Sequence, residues 1–511
     1  MTAARSRRRR TPDRRAQPIQ QLPWGQPRLR LPGIEILSDD EIAALHATSL
    51  KILQEIGIVF NDQEALTLFR QAGALVDDAG RVRIGKELVD QALSTAPGSF
   101  TLTPRDPAKQ VKIGGDAIAF ATVLGPPNCS DLERGRRPGT LADFADFVRL
   151  GQYFNIIHMI AGSPVEPNDI PVEIRHLEST RTMLTLSDKV PYLFAQGRER
   201  LWDGLQLVAL GLGLEDRAEL VERPRTYSII NTNSPLQYDG PMASGVIELA
   251  RHNQVCLITP FSLAGATMPV PLAGAVAMSN AEALAGVVLT QLVRPGAPVV
   301  TAAKTVNVDM KTGAPAFATP ESNKAVQIGA QLARHLGLPF RAANFNNANT
   351  VDAQALYEAQ GSLWAAVTSG TNVVMHAAGW LEGGLCASFE KFVLDVEILQ
   401  MMSVWLEPVP VDAETLSIEE IREVGPGGHF FGTARTIASF ESAFYNPLIT
   451  NTLNYEAWEE AGAADATTRA HGLYKRALEE YEAPAMDAAA QAALDSFTER
   501  RIAEGGSPLG D

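Results

Sequence analysis

The sequence predicts an α/β fold, a (β/α)8 TIM barrel with N-terminal and C-terminal helical caps. Two observations lead to it: eight short apolar, often β-branched runs, each followed by a stretch of helical period, and a first run that ends without a glycine-rich turn. The competing architecture, a doubly wound nucleotide-binding sheet, needs such a turn. Here the first run leads into Leu124-Gly125-Pro126-Pro127, where prolines stand in place of phosphate-binding amides. At 511 residues the chain also exceeds what a single hydrophobic core spans, which favours an elaborated barrel.

Residues 1–33 hold Arg5, Arg7-Arg8-Arg9-Arg10, Arg14 and Arg15 among prolines and glutamines. With no apolar period, they read as a disordered basic tail, and no apolar stretch follows the arginines to make an export signal. Residues 34–115 read as the N-terminal cap. It opens on the capping box Ser38-Asp39-Asp40-Glu41 and continues through helices near 63–72 and 85–96, the last stopped by Pro97-Gly98.

The barrel takes residues 116–406. Its strands are predicted at 117–123, 156–161, 190–195, 227–231, 256–261, 298–303, 339–344 and 372–376. Helices are predicted at 141–152, 172–186, 201–212, 242–252, 272–292, 320–336, 353–368 and 389–406. Residues 407–511 complete the chain as a lid loop and a C-terminal helical cap interrupted by Pro447 and Pro484. The glycine-rich run Gly425-Pro-Gly-Gly-His-Phe-Phe-Gly432 is either a lid bringing His429 and Phe430 over the barrel mouth or a plain interdomain linker.

Composition excludes several classes. A formal net charge of -15 argues against nucleic acid as the main partner. No run of 18 uninterrupted apolar residues predicts a membrane span. Cys129, Cys256 and Cys386 are odd in number and widely spaced, so neither a disulfide framework nor a paired-cysteine metal site is predicted, and a cytoplasmic location fits. No H-E-x-x-H and no G-x-S-x-G occurs, which leaves no metal site and no serine-hydrolase elbow.

Active sites of barrels gather at the carboxyl ends of the strands, so those ends supply the candidates. The eighth ends in His376-Ala-Ala-Gly-Trp380-Leu-Glu382-Gly-Gly, a histidine, an indole and a carboxylate among small residues that permit close approach of a ligand. Asn231 and Asn233 follow the fourth strand, Lys304 the sixth and Phe345 the seventh, while Phe261 closes the fifth. Asparagines and a lysine suit a small carboxylate, and aromatic faces with a carboxylate suit a quaternary ammonium, each face contributing about 0.5–2 kcal/mol when desolvated. Turn-forming asparagines and ordinary core aromatics explain each residue singly. Taken alone, these residues specify a barrel enzyme for a small cationic or zwitterionic ligand.

The run His-Ala-Ala-Gly-Trp-Leu-Glu-Gly-Gly-Leu, the helix start Val-Asp-Ala-Gln-Ala-Leu-Tyr-Glu and the loop Gly-Gly-His-Phe-Phe-Gly resemble the trimethylamine methyltransferase family, in order, from about residue 36 to 500. The resemblance implies transfer of a methyl group from an amine to the Co(I) corrinoid of a separate partner protein, with no corrinoid bound tightly by this chain. That agrees with the absence of a D-x-H-x-x-G cobalamin motif. Every position is a standard amino acid, so the similarity is to the pyrrolysine-free branch, which implies a quaternary, glycine betaine-like amine. By match to the motif, His376 is expected at the methyl-transfer site. From strand position, Trp380, Phe345 and Phe261 are expected to cage the ammonium, Glu382 to supply counter-charge, and Asn231, Asn233 and Lys304 to hold a carboxylate. A cofactor-independent lyase or hydrolase using His376 as base, a betaine-binding protein without catalysis, and homo-oligomerisation stay open.

Overall fold

The computed structural model describes residues 18–508, in mixed helices and sheets. Parallel strands run through its middle. Ala119–Thr122 pairs with Val373–Ala378, and that strand with Arg341–Ala343. Phe340 bridges to Thr301 of Val299–Thr301, which pairs with Val255–Pro260, which in turn pairs with Tyr227–Thr232. Single parallel bridges continue from Tyr227 to Tyr192, from Val190 to Met159 and from Met159 to Ala121. Residues 156–161 and 190–195 thus contribute isolated bridges where full strands were expected.

Helices follow the strands where apolar residues recur at helical spacing: Leu141–Tyr153, Val172–Leu186, Arg198–Gly211, Gly240–Arg251, Leu272–Val293, Pro320–His335, Ala353–Thr368 and Phe389–Trp405. Several are fixed at their starts by side chains. Thr140 and Asp143 form a reciprocal capping box, and Asp239 and Asp352 accept the Met242 and Ala355 amides. Leu272–Val293 is long and apolar enough to cross a membrane, with mean hydropathy 1.6, yet 78% of its apolar 18-residue window is buried inside the fold. It packs against Asp39–Lys51, where Ser49 Oγ donates to Ala277 O and accepts from Asn280 Nδ2.

Several expectations change. Residues 18–33 are ordered, held by buried Ile19, by the Leu22 amide donating to Gln400 Oε1 at 2.8 Å, and by Trp24 packed edge-on to His158. The arginine-rich residues 5–15 lie outside the described residues. The N-terminal segment carries its three predicted helices, Asp39–Lys51, Gln63–Gln71 and Lys86–Thr95, but also strands such as Ile58–Phe60 and Arg81–Arg83, whose burial alternates along the pleat. Ala466–Glu479 packs on Phe389–Trp405, and Ala488–Ala503 on Val172–Leu186 and Arg198–Gly211.

Candidate active site

A cavity of about 360 Å³ opens at the carboxyl ends of the parallel strands. His376, Lys304, Phe345, Trp380, Phe261 and Asn231 all line it, from five different strands or the turns after them. Arg341, Glu166, Tyr192, Phe194 and Phe317 join them.

His376 has a φ of 53°, in the left-handed region that costs a non-glycine residue roughly 1–3 kcal/mol. The register against Ala119–Thr122 shifts between Val374 and Ala378, so His376 sits in an irregularity that turns its ring inward. Its Nε2 lies 3.1 Å from Arg341 Nη2, which can only donate, so the one acceptor nitrogen of the neutral ring is given to Arg341, while Nδ1 lies 3.2 Å from the Leu124 amide. Both neighbours are donors, so protonating the ring is opposed from two sides. Burial, then the charges of Arg341 and Lys304, hold its pKa well below the ordinary histidine value. His376 is therefore a neutral acceptor rather than an acid.

Arg341 opens its strand and is buried. Its Nε has no hydrogen-bond partner, and among the described residues no carboxylate pairs with it. Lys304 follows Val299–Thr301, is equally buried, and sets its ammonium 4.9 Å from the Phe345 ring centroid. Burial and Arg341 pull Lys304 down to about 7, and burial lowers Arg341 to about 10. The cavity thus contains two cations without counter-ions. Its single lining carboxylate, Glu166, is raised above the ordinary range by burial and lies 3.5 Å from Arg175.

The aromatic wall is rigidly held. Trp380 Nε1 donates to Asn346 O at 3.1 Å while Asn346 Nδ2 donates to Trp380 O at 2.6 Å. Phe345 lies 5.1 Å and Phe317 5.8 Å from the indole centroid, both edge-on. Behind the wall Asp395, ion-paired with Lys391, accepts the Gly379 amide at 2.9 Å and anchors the turn between His376 and Trp380.

Other predicted residues lie elsewhere. Glu382 is not on the cavity wall. A small sheet of Trp380–Leu381, Cys386–Ser388, Asn128–Asp131 and Gly135–Pro138 brings it to Arg136, with which it pairs at 2.8 Å. Asn233 exchanges hydrogen bonds with Asp239 and so supports a helix start. His429 and Phe430 lie in the exposed segment after residue 406 and do not line the cavity. Among the described residues, no group of three His, Cys, Asp or Glu side chains has the disposition of a metal site.

Sequence reasoning missed Arg341, Glu166, Tyr192 and Phe194. Arg341 did leave a signal, as the one charge inside the apolar run Pro339-Phe-Arg-Ala-Ala.

A strand-end cavity joining buried cations to aromatic walls is the kind of concave, mixed polar and apolar setting in which α/β enzymes bind small charged molecules. The chain belongs to the trimethylamine methyltransferase (MTTB) family, whose model matches residues 3–506. It is 36% identical over 482 residues to the glycine betaine methyltransferase of Desulfitobacterium hafniense (strain Y51), spanning 94% of this chain and 99% of that one. It is 29% identical to the trimethylamine methyltransferase MttB of Methanosarcina barkeri (strain Fusaro / DSM 804), over 90% of this chain and 94% of the other. Among solved structures, the Methanosarcina barkeri monomethylamine methyltransferase (MtmB) aligns with a TM-score of 0.44 and 9% identity, covering 88% of this chain and 95% of that one.

Proposed function

We propose that this enzyme moves a methyl group from a small quaternary amine bearing a carboxylate, of the glycine betaine type, to the Co(I) corrinoid of a separate protein. The observation carrying this reading is the pair Lys304 and Arg341, buried in one cavity without a carboxylate partner. Unpaired buried cations are costly, and a substrate anion seated between them removes that cost. Trimethylamine brings no anion. Arg341 opens its strand while Glu166 lies in a loop beyond the strand ends, so the carboxylate is assigned the floor and the ammonium the outer part, against Glu166, Tyr192 and Phe194.

His376 accepts from Arg341 and fixes the guanidinium at the methyl-transfer site. Trp380 and Phe345 form the wall, with Asn231 and Phe261 at the rim. In the step, the carbon–nitrogen bond would break with its electron pair left on nitrogen as a neutral tertiary amine, and the partner's Co(I) would supply the pair for the new bond to the methyl carbon, rising by two in oxidation state. Because that leaving group is neutral, the chain's residues need only position the methyl and stabilise charge, with no resident cofactor. A general-base reading of His376 is disfavoured by the donors facing both ring nitrogens.

The same proposal includes closure of the parallel pairings into a (β/α)8 barrel over residues 116–406, flanked by a cap over 34–115 and a second after 406. It also includes a cytoplasmic setting, supported by three free and buried cysteines. The test mixes the purified chain with a Co(I)-corrinoid protein and glycine betaine, and follows loss of the Co(I) absorbance and appearance of dimethylglycine. Choline and trimethylamine serve as controls lacking the carboxylate. Equal rates with the controls, or no reaction with any carboxylated betaine, would overturn the reading.

A further inference from the structure

Residues 407–447 form an arm that leaves the body after buried Leu406 and returns at Leu448 and Ile449, whose amides both donate to Glu397. Within the arm only Thr433 is buried. Its two α-helices, Ile418–Val424 and Ala434–Ser439, have seven and six residues, too short to persist without packing. Yet the arm is rich in large apolar side chains, among them Val409, Phe431, Ile437, Phe440 and Phe444, with Phe431 85% and Phe444 90% exposed. A patch of this kind on a folded protein marks a surface that is normally covered.

We propose that a second copy of this chain covers it, each arm lying across the other copy's Phe389–Trp405 helix. The same chain offers a matching surface at the root of the arm, where Met401, Val404 and Trp405 stand exposed on the C-terminal end of that helix. Donor and acceptor surfaces that adjoin on one chain satisfy each other through a two-fold axis beside the helix, giving a closed, isologous dimer. The area suffices: aromatic side chains bury about 150–250 Å² each, so the exposed phenylalanines of two arms, with the aliphatic residues and the surfaces beneath them, pass the roughly 1,200 Å² of a specific interface.

Other occupants fit less well. The arm has seven acidic residues against Arg422 and Arg435, which repels nucleic acid and anionic membranes. Residues 1–17, which lead into Pro18 beside Ser442–Asn446, contain no large apolar side chain except Met1 and cannot cover the phenylalanines.

The test is sedimentation equilibrium of the full-length chain. Wild type is expected to have twice the chain mass at micromolar concentration, and to dimerise more tightly as salt rises, because screening relieves repulsion between acidic arms. Phe431→Asp with Phe440→Asp is expected to weaken the dimer at least 100-fold while leaving the far-ultraviolet circular dichroism unchanged. Met401→Asp with Trp405→Asp, on the receiving face, is expected to do the same. A monomeric wild type, or a dimer indifferent to both double variants, would overturn the proposal. So would a monomer that gains mass only when a corrinoid protein is added.

Discussion

Arg341 Nη2 lies 3.1 Å from His376 Nε2, and the relationship has one direction, since a guanidinium can only donate. His376 therefore serves Arg341 by accepting from it, and its φ of 53° is the backbone strain that brings the ring there. Arg341→Lys keeps the charge but loses the planar fork, so KM for a betaine should rise roughly 30-fold or more, matching the 2 kcal/mol or more of a broken buried charge-assisted contact. His376→Gln, which retains an acceptor, should keep more activity than His376→Ala. Equal losses in those two variants would show that acceptance is not what His376 contributes.

Lys304 makes the pH dependence specific. Its pKa is pulled from 10.5 to about 7 by burial and by Arg341, so its charge is lost as pH rises through about 7. KM for a carboxylated betaine should rise above that pH while kcat changes less. The stability sign is opposite. Between pH 7 and 10.5 the unfolded chain holds a proton that the folded one lacks, so stability increases with pH across this window. Lys304→Met should stabilise the fold at pH 7 while abolishing tight betaine binding, as measured by urea unfolding and calorimetry.

The helices were legible because their apolar residues recur at helical period, and most strands because apolar runs stand between turn residues. What escaped was set by pairing in space. Residues 156–161 and 190–195 have the composition of strands but form single parallel bridges, at Met159, Val190 and Tyr192, in place of continuous ladders. Glu382 sits six residues after His376, yet a hairpin remote in sequence carries Arg136 to it. Arg341 was hidden by its apolar surroundings, although a lone charge there was the clue. Glu166, Tyr192 and Phe194 converge from segments whose nearness only the fold creates.

Glu382→Gln separates the two roles open to that carboxylate. Arg136 is half exposed, and exposed ion pairs contribute about 0–1 kcal/mol, so the variant should lose less than about 1 kcal/mol of stability. Steady-state KM for the betaine should stay within about twofold of wild type. A large rise in KM would restore Glu382 as the counter-charge of the ammonium.

Gly384 tests how rigid the indole wall is. It has a φ of 100°, and a Cβ there would lie 2.6 Å from Trp380 Cη2. The indole cannot retreat without breaking its reciprocal hydrogen bonds with Asn346. Gly384→Ala should therefore combine backbone strain with overpacking and lose about 1–3 kcal/mol. Gly73→Ala is the control, with a φ of 85° at a helix C-terminus but nothing within 4 Å of the added methyl, and isolates the backbone part, about 1 kcal/mol. The excess for Gly384→Ala should appear together with a shift in tryptophan fluorescence and a higher KM, because displacing Trp380 reshapes the cavity beside His376. Equal destabilisation of the two variants with unchanged fluorescence would mean that the indole yields freely, and that the wall does not set substrate position.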